Sequence, residues 1–229
     1  MKKLIIATLI IISASCKKDD IDLTYPGTTR LSVEISGVTW APVNAGYTIE
    51  RPNGLLYQWG RMYGQEYIST DTIPGPVAIS EGNNSSNSSK FYTVQSVPFD
   101  WCTAPVTIWD MTLYNPCPTG WRVPTATELT LLNSAGSTWL YDPVNNPDGL
   151  PGRWFGGNYN TDHVGSVFLP ATGFRNVSKG AATIRGNIGD YWSSDVSGKY
   201  ASSLFFTSSA ASMASDYRAG GLPVRCVRK

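Results

Sequence analysis

The sequence predicts one α+β domain that is mostly β, with one or two helices and long irregular loops. Composition is the first indication: 22 glycines, 15 prolines, 8 tryptophans and 12 tyrosines accompany a charged fraction of only 15%. This profile is typical of turn-rich β structure rather than of a helical bundle. Length is the second indication, because a single domain from a chain of 229 residues buries roughly 70% of its unfolded surface without a metal or dense disulfides.

Short segments of alternating or β-favouring residues predict the strands. They lie at residues 31–35, 91–97, 166–169, 204–207 and 222–227, and long stretches of glycine, asparagine and serine separate them. Loops of that length are unusual in a compact domain unless the scaffold presents them for function. We therefore expect a single loop-presenting domain over residues 31–229.

One helix has a clear start signal. Thr125 and Glu128 form a capping box, in which the hydroxyl accepts from the third backbone N–H and the carboxylate reaches back to the N-cap. Leu129 and Leu132 then supply an apolar stripe, and Gly136 predicts the end of the helix.

Residues 1–15 have the features of a secretory signal peptide: two lysines, an apolar run over residues 4–12 and small residues at 13–15. The run is too short to cross a bilayer core, which needs about 20 residues. The small residues before Cys16 resemble the lipobox of bacterial lipoproteins, in which the cysteine is diacylated and becomes the new N-terminus. We expect lipidation at Cys16 and a membrane partner through this anchor. The alternative is an ordinary secreted protein.

Residues 16–30 are predicted to be the lipidated cysteine and a flexible tether. Mixed charge, Pro26 and Gly27 occur there without an apolar period, so the segment buries too little surface to order itself. Two lysines followed by two aspartates at residues 17–20 resemble the surface-export signal of Bacteroidetes lipoproteins. This resemblance implies the outer membrane, with the domain facing the cell exterior.

Charge and motifs argue against several functions. The chain has 18 basic and 17 acidic residues, and loss of the two leader lysines leaves 16 against 17, so we expect no nucleic-acid partner. His163 is the single histidine, and no Gly-x-Ser-x-Gly elbow occurs to present a nucleophile. Walker, dinucleotide-binding, His-Glu-x-x-His and Cys-x-x-Cys motifs are absent from the sequence as well. We expect no catalytic residues and no enzyme.

Residues 145–149 place amide and carboxylate oxygens around a proline, with Asn146 and Asp148 among them. Calcium prefers such oxygens, although the same residue types make ordinary surface turns. We expect no cofactor and no metal ligand, and calcium remains an open alternative.

Three cysteines follow Cys16, at positions 102, 117 and 226. Exported proteins form disulfides, and one of the three must stay unpaired. The residues alone permit three pairings. A bond from Cys117 to Cys226 would close a loop of over 100 residues, which the chain-entropy model values at about 4.7 kcal/mol.

The segment at residues 115–129, with Cys117, Trp121 and the capping box, resembles the Fibrobacter succinogenes major paralogous domain, found in lipoproteins of Bacteroidetes and Fibrobacteres. Further blocks occur in the order of that family, at residues 38–44, 56–61, 168–175, 189–194 and 223–227. Together the blocks cover the chain from residue 31 to its C-terminus.

The resemblance implies a fold similar to C-type lectins, with small antiparallel sheets, terminal strands paired at the base, flanking helices and long ligand-carrying loops. It also implies a disulfide between Cys117 and Cys226, which lie in two of the shared blocks, and an unpaired Cys102. A local bond from Cys102 to Cys117 remains the alternative. The chain departs from many relatives at Ala45, where they have cysteine.

The implied function is a surface-anchored binding or adhesion module for a glycan or protein ligand. Sugars present apolar faces to aromatic rings and hydroxyls to amides and carboxylates, so we expect the ligand surface in a loop over residues 142–162. At least two of four aromatic side chains should be exposed there beside two polar ones. The predicted ligand-binding set is Trp139, Tyr141, Asn146, Asp148, Trp154 and Tyr159.

Two other classes of function remain. A structural subunit or tip component of a surface fibre suits an anchored β-rich domain, and such a subunit should show an added or donated strand. The formylglycine-generating enzyme has a related fold, but it requires reactive cysteines, and this chain has no evident matching pair.

Thr72 is a candidate glycosylation site. The sequence Asp71-Thr72-Ile73 resembles the Asp-Ser/Thr-aliphatic O-glycosylation signal of Bacteroidetes periplasmic and surface proteins. The alternative is a plain loop before Pro74.

Overall fold

The computed structural model describes residues 24–104, 107–142 and 146–229. The predicted signal peptide, Cys16 and the first part of the tether lie outside these ranges. Within them, no helix is long and apolar enough to span a bilayer. The helices are α1 (Ile79–Gly82) and α2 (Ala126–Ser134), and a 3-10 turn covers Ser85–Asn87.

Short strands make up most of the regular structure. In chain order they are β1 (Val33–Ile35), β2 (Val38–Trp40), β3 (Leu56–Gln58), β4 (Thr72–Pro74), β5 (Phe91–Thr93), β6 (Trp121–Arg122), β7 (Ser137–Leu140), β8 (Gly152–Phe155), β9 (Val167–Pro170), β10 (Phe174–Arg175), β11 (Ala182–Thr183), β12 (Gly189–Ser197), β13 (Tyr200–Phe206), β14 (Ala211–Tyr217), β15 (Gly221–Pro223) and β16 (Val227–Arg228).

These strands form small sheets with the orders β1-β2-β16-β6, β11-β10-β15-β3, β12-β13-β14, β7-β8-β9 and β4-β5. Among the described residues, the β4-β5 pair is parallel and the other strand pairs are antiparallel. The prediction of a mostly β domain with small antiparallel sheets and few helices is confirmed in these general terms.

The two ends of the domain meet in one sheet. Trp40 of β2 pairs with Val227 of β16, and β16 also pairs with β6. Next to this pairing, Cys226 is bonded to Cys117, with the two Cα atoms 6.0 Å apart. Cys102 is free and buried. The predicted disulfide is therefore confirmed, and the local alternative does not form.

The sheet β12-β13-β14 lies between two hydrophobic clusters. Because side chains alternate along a strand, Tyr191 and Trp192 of β12 point to opposite faces. Tyr191 packs in the cluster that contains Leu129 of α2 and Leu204 of β13, whereas Trp192 packs in the cluster that contains Trp59. Both faces of this sheet are thus buried around β12 and β13.

Helix α2 follows the local signals of its sequence. Thr125 Oγ1 accepts from Glu128 N, and a Glu128 carboxylate oxygen accepts from Thr125 N at 2.7 Å. The same carboxylate accepts from both terminal nitrogens of Arg122, at 2.7 and 2.6 Å. Leu129 and Leu132 are fully buried. The capping box is confirmed, and Arg122 adds a contact that the capping pattern does not indicate.

Buried arginines organise the loops. Arg61 donates to the carbonyl oxygens of Gly82 and Lys90 at 2.9 and 2.7 Å, and Arg225 donates to that of Phe168 at 2.9 Å. Burial lowers the pKa of Arg61 to about 10, so the guanidinium stays charged at neutral pH. A guanidinium carries five N–H donors, so one arginine can satisfy several carbonyls in segments without regular structure.

The packed part of the chain begins before residue 31. Tyr25 is buried against Trp121, with ring centroids 4.9 Å apart, and its hydroxyl donates to Cys226 Sγ at 3.7 Å. Arg30 forms an ion pair with Asp148 at 2.6 Å. The chain from Tyr25 to Arg30, predicted to be tether, therefore lies against the domain, because one aromatic ring and one ion pair give it partners.

Candidate functional site

The predicted aromatic residues do not share one surface. Trp139 of β7 pairs with Arg153 of β8, so the next residue, Trp154, points to the opposite face of the sheet β7-β8-β9. Gly152–Phe155 is a strand, and the expectation of loop throughout residues 142–162 is wrong. The hairpin pairing of β7 with β8 is what separates the two tryptophans.

Exposure of these aromatic residues also differs from the prediction. Tyr141 is 70% exposed, whereas Trp139, Trp154 and Tyr159 are half-buried. Trp154 stacks on His163 with ring centroids 4.4 Å apart. The expectation of at least two exposed aromatic side chains is wrong, because neighbouring rings and loops cover much of the other three.

Asn146 and Asp148 stabilise their own loop. Asp148 is 2% exposed, and its carboxylate accepts from Arg30 Nη1 at 2.6 Å. Burial raises the pKa of Asp148, and Arg225 and Arg30 oppose that rise. Asn146 Oδ1 accepts from the N–H groups of Asp148 and Leu150 at 2.9 and 3.0 Å, as in an Asx turn. Their predicted place beside exposed aromatic rings is therefore wrong.

The same contacts weaken the calcium alternative. The Arg30 guanidinium engages the Asp148 carboxylate. In the described ranges, no group of three or more His, Cys, Asp or Glu side chains is placed to hold a metal ion. Asn145, the remaining amide of the predicted turn, lies outside those ranges.

Another cleft brings charged, polar and apolar side chains together, and we call it the Tyr67 cleft. It lies between the loops at residues 50–54 and 66–68, has a cavity volume of about 160 Å³, and includes the buried Thr172 in its lining. Three distant parts of the chain therefore meet there. Its polar and aromatic lining consists mainly of Glu50, Arg51, Asn53, Glu66, Tyr67 and Arg185.

Arg185 contributes a positive charge to the Tyr67 cleft. Its guanidinium lies 4.8 Å from the Tyr67 ring centroid, and Nη2 donates to Asn53 Oδ1 at 3.0 Å in the amide orientation that satisfies both groups. Arg51 pairs with Glu66 at 3.6 Å, but within the described residues no carboxylate lies at ion-pair distance from Arg185. The ring and the amide thus hold a guanidinium that has donors to spare.

Exposed isoleucines accompany this charge. Ile68 lines the cleft and is 78% exposed, and Ile49, next to the lining residue Glu50, is 83% exposed. Ile184 precedes Arg185 and has a φ of 52°, which is an outlier for a β-branched residue. Backbone strain of this kind clusters at ligand sites.

A second cavity contains the free cysteine. It has a volume of about 410 Å³ and is lined by Cys102 and by the Asp100–Arg218 ion pair, whose charged atoms are 3.2 Å apart. Burial raises the pKa of Cys102. A raised pKa lowers the fraction of thiolate, the nucleophilic form, at neutral pH.

A third cavity, of about 240 Å³, is lined by Trp154, His163 and Ser166. Ser166 Oγ donates to the carbonyl oxygen of Gly156. The imidazole of His163 is stacked on Trp154. In the described contacts, the Ser166 hydroxyl is therefore engaged by a carbonyl oxygen rather than by the imidazole.

Thr72 lies in strand β4 rather than in a loop, and its side chain is exposed. Glycosylation there stays a prediction. Lipidation of Cys16 stays one too, because that residue lies outside the described ranges.

No protein-family model, no curated protein and no solved structure matches this chain.

The Tyr67 cleft is not apparent from the sequence, because its lining comes from separate segments that share no motif. The available signal was weak: Ile49 and Ile68 stand in polar, turn-rich stretches, where an isolated aliphatic residue has no obvious core to join. The sequence also cannot single out Arg185, because the presence or absence of a carboxylate partner depends on the tertiary structure.

Proposed function

We propose that this chain is a lipid-anchored binding module on the outer surface of a bacterial outer membrane, related to the Fibrobacter succinogenes major paralogous domain and C-type-lectin-like in fold. The observation that carries the proposal is the Tyr67 cleft, in which Arg185, without a carboxylate partner among the described residues, lies with the exposed Ile68. Binding residues concentrate on loops that a rigid scaffold positions.

The architecture supports the proposed fold. Strands β2 and β16, from the two ends of the domain, pair in one sheet, and α2 packs on the central sheet. Buried arginines and the disulfide fix long loops in place. Such a scaffold presents a cleft without needing regular structure around it.

The chemistry of the cleft favours a protein ligand that presents a carboxylate beside an apolar side chain. The spare donors of Arg185 suit a carboxylate, and charge-assisted hydrogen bonds are the stronger polar contacts. Ile49 and Ile68 supply apolar area that binding would remove from water. Arg185 already covers one face of the Tyr67 ring, so that face is not free for stacking on a sugar. A glycan is the alternative ligand class, and the binding screen described next distinguishes the two.

The test is a screen of the full chain, purified in detergent, against surface proteins and glycans, followed by titration of each hit. Arg185→Gln should weaken a specific hit about tenfold or more, because a hydrogen bond to a charged group contributes roughly 1.5–3 kcal/mol. Ile68→Ser should also weaken it. The controls are Lys179→Gln and Leu113→Ser, which change an exposed cation and an exposed aliphatic residue outside the cleft.

A hit whose affinity stays the same in both cleft variants contradicts the assignment of the cleft. A glycan hit that depends on Arg185 keeps the cleft and corrects the ligand class. Circular dichroism of each variant separates lost binding from lost folding.

The anchor has its own test. Cys16→Ala should release the protein from membranes and abolish palmitate incorporation, because the acylated thiol is removed. Labelling that persists in the variant contradicts lipidation at Cys16. Protease access on intact cells reports whether the domain faces the exterior.

A further inference from the structure

Residues 25–30, which we call the strap, end in a clamp on a neighbouring loop. Arg30 Nη1 donates to Asp148 Oδ1 at 2.6 Å, and Arg30 Nη2 donates to the carbonyl oxygen of Pro147 at 2.5 Å. The side chain of Asp148 is only 1% exposed. Removing one partner of a buried ion pair leaves the other charge uncompensated. The strap therefore stabilises the position of residues 147 and 148.

The clamped loop also contacts the Tyr67 cleft. In the amide orientation that satisfies both groups, Asn53 Nδ2 donates to the carbonyl oxygen of Asp148 at 3.2 Å. In the same orientation, Asn53 Oδ1 accepts from Arg185 Nη2 at 3.0 Å. Asn53 and Arg185 both line the cleft. A continuous set of contacts thus joins the strap to the cleft, in the order Arg30, Asp148, Asn53, Arg185.

The backbone of Asn53 has a separate support. Its carbonyl oxygen accepts from Asn44 Nδ2 at 2.9 Å, and Asn44 Oδ1 accepts from the buried Arg225 at 2.9 Å. Loss of the Asp148 contact would therefore leave the backbone of the loop in place and free the Asn53 amide to rotate. That amide and the Tyr67 ring hold the Arg185 guanidinium, so the effect would be confined to the orientation of one charged group.

We propose that the strap regulates the Tyr67 cleft, an inference that rests on the proposed binding function of this cleft. When the strap is docked, Arg30 holds Asp148. The Asn53 amide then keeps its oxygen towards Arg185, and the guanidinium stays in the orientation that receives a carboxylate. Release of the strap removes this constraint. Arg30 is a positioning residue, because it acts through the loop and not by touching a ligand.

A coupling between two sites is reciprocal. A ligand that holds the Arg185 guanidinium should favour the docked strap by the same factor by which the docked strap favours the ligand. Such factors are typically about 5–150. Since the strap follows the segment that leads from the proposed anchor at Cys16, the cleft should bind more tightly when that end of the chain lies against the domain.

The first test observes Arg185 without any ligand. In the full chain, labelled with ¹⁵N and purified in detergent, the Arg185 Nε signal is assigned by its loss in Arg185→Lys. Arg30→Gln should shift or broaden this signal, because the guanidinium loses a fixed neighbour. Arg122→Gln is the matched control, since it breaks an ion pair of the same length, 2.6 Å, at helix α2. The control should leave the signal unchanged.

An unchanged Arg185 signal in folded Arg30→Gln overturns the proposal. An equal change in Arg30→Gln and Arg122→Gln overturns it as well, because the effect would then be a general loss of stability. Circular dichroism establishes that each variant is folded. If Arg30→Gln does not fold, the second test decides.

The second test runs from the cleft to the strap. Trypsin cleaves after arginine, and the rate of cleavage follows the population of the locally opened chain. Asn53→Ala removes the link between the cleft and the loop that Arg30 clamps. We expect cleavage between Arg30 and Leu31 to become at least about fivefold faster, the lower end of the usual coupling. Mass spectrometry of the fragments identifies this cut.

Asn87→Ala is the control for this change. Asn87 is also half-buried, and its side chain donates to the carbonyl oxygen of Glu81 at 3.1 Å, outside the set of contacts between strap and cleft. Cleavage after Arg30 at the same rate in Asn53→Ala, Asn87→Ala and the parent overturns the proposal. Neither test uses a ligand, so failure of the coupling is distinguishable from failure of the binding screen.

Discussion

At the scale of single residues, buried polar side chains set the shape of the loops. Arg61, Arg175 and Arg225 are fully buried, and each donates to backbone carbonyls of segments far away in the chain. A lysine at these positions has one compact ammonium group instead of a planar fork. Arginine-to-lysine changes here are therefore not conservative.

Asp190 is a buried acid with a second acid beside it. It lies in β12 and is 5% exposed. Burial raises the pKa of Asp190 well above its ordinary value, and the neighbouring Asp216 carboxylate raises it further. An aspartate in the unfolded chain has a pKa of about 3.9. At pH values between this pKa and the raised pKa of Asp190, the folded protein therefore holds a proton on Asp190 that the unfolded chain has released. This group favours folding most below the unfolded pKa, and the advantage is lost as the pH rises through the folded pKa.

Asp190→Asn should remove this dependence, because the amide is neutral and keeps the size of the protonated acid. We expect the variant to be more stable than the parent at pH 8, with the difference shrinking towards pH 4. Urea unfolding at several pH values gives both curves. Parallel curves would contradict the assignment of the shifted pKa to Asp190.

At the scale of elements, the N-terminus of α2 is the clearest local device. Thr125→Ala should lower the free energy of unfolding by about 1 kcal/mol, the usual cost of a lost N-cap. Glu128→Ala should cost more, because it also removes the ion pair with Arg122. Thr127→Ala, at an exposed position of the same helix, is the control and should leave stability nearly unchanged. The midpoints of urea unfolding measure these differences in stability. Equal effects of Thr125→Ala and Thr127→Ala would contradict the role of Thr125 as N-cap.

The same element shows what the sequence can and cannot predict. Helix α2 was predictable because its cap and its two buried leucines are local signals. Strand β14, Ala-Ser-Met-Ala-Ser-Asp-Tyr, was not, because it contains no β-branched residue and is strand only through its pairing with β13. Tyr25 and Arg30 illustrate the same limit, since their partners Trp121 and Asp148 lie far along the chain.

The candidate site was less predictable than the fold for a related reason. Composition drew attention to aromatic and polar loop residues, but the pleat of β7-β8 places Trp139 and Trp154 on opposite faces. Arg30 turns Asp148 into a structural group. The chemistry that we propose for binding lies instead at Arg185, whose lack of a carboxylate partner among the described residues depends on contacts between distant segments.

At the scale of the whole molecule, the Cys117–Cys226 bond is the main covalent constraint. Its pairing followed from the resemblance of two sequence blocks, because spacing alone permitted three choices. Cys117→Ser should lower the free energy of unfolding by about 2–5 kcal/mol. Cys102→Ala, which removes a free thiol, should cost less. Urea unfolding compares the stability of the two variants. Peptide mapping of the parent without reductant tests the disulfide, and a bonded Cys102 would contradict the Cys117–Cys226 pairing.

That bond also determines how the domain would respond to mechanical force. In the proposed function, the domain would be pulled between its membrane anchor and a ligand held at the cleft, and it would be loaded from the N-terminal side. The disulfide, which spans 109 positions, limits how far the enclosed loop can extend, whereas the chain before Cys117 has no such limit. Tyr67 lies in that extensible part and Arg185 in the locked part, so a pull strong enough to unravel the N-terminal strands would separate the two sides of the cleft. The ligand would then be released while roughly half of the chain was still closed by its covalent loop.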